Sequence, residues 1–218
     1  MNCELIFFDL GGVLVGFELV KFYQSLAWLF NTSMWDIRTF WKEEKQNEQP
    51  CFWHQCEEDP QWNEDRIRDK FCERFQKTVS PEAFRTAFTS GHVWHDHDAE
   101  HRISLLEDLR RGGVRLAILS NINVLHISYL ENNFGRLLEY FPDDSRLYSV
   151  RTGRRKNQTP DAFVYACSTL KTRISRTVLV DDREENIQGF REVGGTGIQF
   201  RGLRTLRQEL IRLGVLPT

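Results

Sequence analysis

Three short apolar runs in this chain each stop on a residue able to handle a phosphate or a metal ion. Leu5-Ile6-Phe7-Phe8 stops at Asp9, Leu116-Ala117-Ile118-Leu119 at Ser120, and Val178-Leu179-Val180 at Asp181 and Asp182. Gly11 and Gly12 follow Asp9, so its carboxylate can sit exposed on a tight turn whose backbone N–H groups face an incoming anion. A carboxylate so placed can attack phosphorus. Ser120 and Asn121 offer a hydroxyl and an amide to phosphoryl oxygens. Lys156 can neutralise both a phosphate and the Asp9 carboxylate, and Asp181 with Asp182 supplies the acidic pair that magnesium requires.

Such residues need a scaffold that brings them together. Apolar runs this short, separated by helical patterns, read as parallel strands buried on both faces, and open sheets of that kind hold ligands at the carboxyl ends of their strands. Strands are expected at 5–8, 115–119, 177–180 and 198–200. Helical patterns fall between them: from Ala99, with Ile103, Leu106 and Leu109 on one face and Gly112-Gly113 as the stop, then over 160–170 and 186–193. This alternation predicts an α/β fold with a right-handed, doubly wound, Rossmann-like parallel sheet.

From about Phe17 to Ser90 the composition changes to aromatic and helical, with five of the six tryptophans and no convincing strand. Helices are expected at 22–30, 34–41, 65–75 and 81–88, with Pro81 in a first turn. The aromatics read as the core of a small bundle, with a few free to face the crevice.

Composition excludes several partners. The 218 residues carry 29 Lys plus Arg against 31 Asp plus Glu and no long charged block, so nucleic acid is not an expected partner. No run reaches the roughly 18 apolar residues of a membrane span, and Met1-Asn2-Cys3-Glu4 lacks the basic start of a signal peptide. A cytoplasmic location is expected. Five scattered cysteines read as reduced thiols.

Together the four groups resemble the motifs of the haloacid dehalogenase-like (HAD) hydrolases, mostly phosphatases that pass through an aspartyl phosphate. Asp9-Leu10-Gly11-Gly12-Val13 is similar to the first motif, Ser120-Asn121 to the second, Gly153-Arg154-Arg155-Lys156 to the third, and Asp181-Asp182 with Asn186 to the fourth. The Gly pair after Asp-Leu resembles the branch around bacterial glucose-1-phosphate phosphatases. The resemblance implies an α/β core at 1–15 and 95–218 and an α-helical cap domain inserted at 16–94. It also implies Asp9 as nucleophile, Lys156 as its electrostatic partner, and substrate contacts from Gly11, Gly12, Ser120, Asn121 and Lys156. Magnesium would be held by Asp9, the Gly11 carbonyl, Asp182 and Asp181, with Asp182 the more direct ligand.

Two positions depart from the family pattern. Most phosphatases of the family carry a second Asp, a general acid and base, where this chain has Gly11, and such help is typically worth about 10²- to 10⁴-fold. Asn157 stands where the branch usually has proline. The expected activity is a magnesium-dependent phosphatase for a small phosphorylated metabolite such as a sugar phosphate, either slow or using a substrate or cap residue as acid. The competing readings are a regulatory protein without turnover and a metal-independent dehalogenase, against which the carboxylate pair argues.

Other clusters have bland readings. His92, His95, His97 and His101 read as an exposed hinge, with Asp98 capping the next helix. Cys51, His54 and Cys56 lack a second ligand pair for zinc. Arg151, Arg154 and Arg155 could greet an anion or simply be solvated.

Overall fold

The computed structural model describes residues 3–42, 51–93, 96–156 and 160–217. Its centre is a parallel sheet of five strands: β1 (Leu5–Phe8), β4 (Arg115–Ser120), β5 (Arg146–Tyr148), β6 (Thr177–Asp181) and β7 (Thr196–Gln199), in the order β5-β4-β1-β6-β7. Alternate residues of the apolar runs feed different cores. Ile6, Phe8, Ile118 and Val180 pack on one face with Ile103, Leu106 and Leu109 of α6 (Asp96–Arg111), and with α7 (Val124–Asn133), α8 (Gly135–Leu138) and α12 (Leu203–Arg212). Leu5, Phe7, Ala117 and Leu179 pack on the other against α10 (Asp161–Thr169) and α11 (Glu184–Glu192). Burial on both faces is why these strands show no apolar-polar alternation.

Register sets the site. Phe8 stands beside Ile118 on one side and Val180 on the other, so the next residue, Asp9, lies level with Asp181. The Asp9 N–H continues the ladder by donating to the Val180 carbonyl at 2.9 Å.

A helical cap is inserted after the first strand: α1 (Leu19–Phe30), α2 (Met34–Lys42), α3 (Phe52–Glu58), α4 (Glu64–Phe75) and α5 (Pro81–Thr89). Asn63 and Ser80 cap α4 and α5 by accepting from the N–H groups of Arg66 and Ala83, and Pro81 sits in the first turn as expected. The segment is not strand-free at its ends: β2 (Gly16–Phe17) and β3 (His92–Val93) form an antiparallel ribbon at the two crossings. Two residues per strand are too few to leave a periodic signal.

The cap core is aromatic, with Phe22, Phe30, Trp41, Phe52, Phe71, Phe84 and Phe88 buried together, and Leu125 of α7 belongs to the same cluster. The tryptophans divide. Trp41 and Trp62 are buried and Trp53 is half-buried, whereas Trp28 and Trp35, expected in the bundle core or at the crevice, are 85% and 69% exposed. Helix α6 begins at Asp96, two residues before the cap position expected at Asp98, whose side chain lies outside the description, as do Trp94 and His95. His92 is not exposed: its ring lies 5.1 Å from Phe17, 4.6 Å from His126 and 5.0 Å from Tyr129.

Phe71 is fully buried among Phe30, Phe40, Trp41, Phe52, Phe84 and Phe88. Phe71→Ala is expected to cost about 3–5 kcal/mol, read as a lowered urea midpoint. A loss below 1 kcal/mol would mean that the cap core repacks freely.

Candidate active site

Asp9, Gly11, Gly12, Ser120, Asn121, Lys156, Asp182 and Asn186 line one cavity of about 290 Å³ at the carboxyl ends of β1, β4 and β6. Asp181 lies buried at its edge. The Lys156 ammonium sits between two carboxylates, 3.1 Å from Asp9 Oδ1 and 2.5 Å from Asp181 Oδ2, with its side chain only 1% exposed. Burial works against that charge, but Asp181 and Asp9 outweigh it and raise the lysine pKa. Asn157 is outside the described residues, and Lys156 reaches Asp9 without the proline.

Each side chain is held by its neighbours. Asn121 Nδ2 donates to the Lys156 carbonyl at 3.2 Å and its Oδ1 accepts the Lys156 N–H at 2.8 Å. The amide expected to reach for phosphoryl oxygens thus grips the lysine backbone. Asp181 accepts from Asn186 Nδ2 at 2.9 Å on both oxygens and from the Arg183 N–H at 2.9 Å. Asp9 accepts from the Leu10 N–H at 2.8 Å and from the Ser120 hydroxyl. Burial raises the Asp9 pKa to about 6, against the opposing pull of Lys156 and with the added push of Asp181.

The glycine turn is specialised residue by residue. Gly12 has φ +78°, and a Cβ there would meet Asp182 Oδ2 at 2.6 Å, so this close approach requires glycine. A Cβ on Gly11 would meet nothing within 4 Å. The Gly12 N–H donates inward to the Val15 carbonyl, and Gly11 contributes neither its N–H nor its carbonyl to the turn's internal bonds. Only the Gly11 amide therefore matches the expectation of turn N–H groups open to an anion.

One oxygen each from Asp9, Asp181 and Asp182 fall within 4.8 Å of one another, the single such acidic, histidine or cysteine cluster among the described residues. Asn186 Oδ1 is buried beside them without a hydrogen-bond partner. Asp182 is exposed, and partial desolvation and the Asp181 charge raise its pKa. Because Lys156 compensates Asp181, the repulsion inferred from a bare carboxylate pair falls mainly on Asp182.

The structure adds residues that no local pattern flagged. Glu57 of α3 lines the cavity and accepts from Arg155 Nε at 2.8 Å, with both side chains 3% exposed. Burial raises the Glu57 pKa to about 7, opposed by Arg155 and reinforced by Asp9. Arg155 is therefore an internal tie, whereas Arg151 pairs with Glu131 and Arg154 lies over the Tyr165 ring, both exposed. Phe17, Trp53, His92 and His126 complete the wall. The His126 Nε2–H donates to the Phe88 carbonyl and the His92 Nδ1–H to that of Thr89. Burial holds His126 well below the ordinary imidazole range and His92 at about 4.

Residues 3–194 match the family model of the haloacid dehalogenase-like hydrolases. The chain belongs to that family. No curated protein matches it. Among solved structures, a HAD family enzyme from Bacteroides thetaiotaomicron is 20% identical with a TM-score of 0.77, over 91% of this chain and 94% of the other. That enzyme is also known in complex with magnesium and inorganic phosphate. A predicted HAD-like family hydrolase from Porphyromonas gingivalis is 19% identical with a TM-score of 0.76, over 97% and 99% of the two chains. A HAD phosphatase from Thermococcus onnurineus is 21% identical with a TM-score of 0.61, over 95% and 97%. At these identities the likeness speaks of the fold. No helix of this HAD-like protein, among the described residues, is long and apolar enough to cross a membrane.

Two stability measurements follow from this geometry. Glu57→Ala strands the Arg155 charge in the interior and is expected to cost about 3–5 kcal/mol by denaturant titration, whereas replacing both residues by leucine or methionine should recover most of it. His126 is neutral when folded and ionises near pH 6.5 when unfolded, so the unfolded chain binds the extra proton and wild-type stability falls as pH drops below 6.5. The deficit of His126→Leu should accordingly shrink between pH 8 and pH 5. A pH-independent deficit would contradict a neutral buried ring.

Proposed function

We propose that this HAD-like hydrolase is a magnesium-dependent phosphatase that hydrolyses a small phosphorylated metabolite through an aspartyl phosphate on Asp9. The meeting of Asp9 and Lys156 at 3.1 Å, in a cavity shared with Ser120, the Gly11 amide and Asp182, carries this reading. Asp9 Oδ2 attacks phosphorus while Oδ1 stays bonded to Lys156 and the Leu10 N–H. The lysine holds the carboxylate ionised and oriented. Ser120 and the Gly11 N–H donate to phosphoryl oxygens, and the departing oxygen leaves on the opposite side of phosphorus. Water then attacks the aspartyl phosphate, releasing inorganic phosphate and restoring the carboxylate.

Asp9, Asp181, Asp182 and the Gly11 carbonyl would hold magnesium, which when bound supplies positive charge against the phosphoryl oxygens and the attacking carboxylate. Asp182 is the most available of the three carboxylates, because Lys156, Asn186 and the Arg183 N–H already engage Asp181. The complex of the Bacteroides enzyme with magnesium and inorganic phosphate supports the same pairing here. Residues 16–94 serve as the cap, which contributes Phe17, Trp53 and Glu57 to the wall around the substrate.

Phosphate release from a panel of phosphomonoesters tests this reading. Turnover should require magnesium, stop with a chelator, and fall by at least about 10³-fold in Asp9→Asn. Activity unchanged in Asp9→Asn would overturn it.

A further inference from the structure

One part of the cavity lining is apolar and aromatic. Phe17, Trp53, Ile122, His92, His126 and Leu130 form that wall, and the two imidazoles are tied through their N–H groups to the backbone carbonyls of Thr89 and Phe88. Such a surface gives a ring faces to pack on and gives a sugar few partners for its hydroxyls.

The machinery of the cavity has no carboxyl at position 11, the place of the acid in the family pattern. Gly11 has no side chain, and the Lys156 ammonium is committed to Asp9 and Asp181. Glu57, the one carboxyl that the cap brings to the wall, is bonded to Arg155. A leaving group that receives no proton departs as an anion. A phenol ionises near pH 10, whereas an alcohol is about as weak an acid as water, near 15.7.

These two observations converge, and the inference rests on the phosphatase reading above. We propose that the substrate class is aryl phosphates: phosphomonoesters whose leaving oxygen is borne by an aromatic ring that packs against Phe17 and Trp53. The Asp9 oxygen forms a bond to phosphorus while the bond to the aryl oxygen breaks, the bonding pair leaving as a phenolate that takes its proton from solvent water. Water hydrolyses the aspartyl phosphate in the second step, its oxygen going to phosphate and its proton to the medium.

Open space at Gly11 makes the test direct. With magnesium and the full chain, kcat/KM is measured for phenyl phosphate, hexose 6-phosphates and simple alkyl phosphates in wild type, Gly11→Asp, Glu57→Gln and Trp53→Ala. Wild type should favour phenyl phosphate by about 10²-fold or more, and Gly11→Asp should narrow the gap by raising alkyl turnover. Trp53→Ala should raise KM for phenyl phosphate several-fold while inhibition by inorganic phosphate stays constant. Equal or better turnover of hexose or alkyl phosphates by wild type overturns the proposal. If Glu57→Gln then abolishes that turnover selectively, Glu57 is the acid. Magnesium-dependent release confined to sugar phosphates leaves the phosphatase reading standing without the aryl preference, and no release from any ester overturns both.

Discussion

Everything at the sheet's carboxyl edge depends on one buried cation. The parallel ladder forces Asp9 level with Asp181, and two carboxylates brought that close at low dielectric repel each other strongly. The Lys156 ammonium, bonded to both, makes the arrangement possible. A lysine can fill that place only if its backbone is fixed, and the Asn121 amide fixes it through both its donor and its acceptor. Asn121 after β4 and Lys156 are thus parts of a single electrostatic unit.

The same loop carries the tie to the cap. Arg155, next to Lys156 in sequence, is locked to Glu57 of α3, so the cap helix and the buried lysine share one anchorage. A buried ion pair of this kind contributes little net stability compared with apolar packing, but it penalises any arrangement in which either charge is left alone. The aromatic cluster supplies the packing instead. It crosses from the cap to Leu125, and His126 of α7 touches Phe17, Trp53 and Phe88, so cap and core are coupled at two separate places.

The parts of this protein legible in its sequence were those written in local pattern. Continuous apolar runs marked β1, β4 and β6, because both faces of a central parallel strand are buried, and the polar residue ending each run marked the cavity. Strand β5 escaped because it is a three-residue edge strand that begins with Arg146 and follows no apolar run. Helices α7 and α12 escaped as well: the first is capped by Asn123, three residues beyond Ser120, where the sequence reads as site rather than scaffold. The Glu57–Arg155 pair spans 98 positions, and nothing local distinguishes Arg155 from the exposed Arg154 beside it. His126 was silent for the same reason, since its role follows from cap residues meeting α7 in space.

The two glycines after Leu10 show how geometry and chemistry can be separated within one motif. Gly12 is compelled: its positive φ and the nearness of Asp182 admit no side chain. Gly11 is under neither constraint, having ordinary φ and open space around the missing Cβ. A Cβ at position 11 meets no neighbour, so crowding at that atom does not explain why the acid of the family pattern is absent. What remains is chemistry. A carboxyl there would add negative charge to a cavity edge that already carries Asp9, Asp181 and Asp182. That added charge is useful only where the leaving group needs a proton, and the aryl phosphates proposed above carry leaving groups that do not.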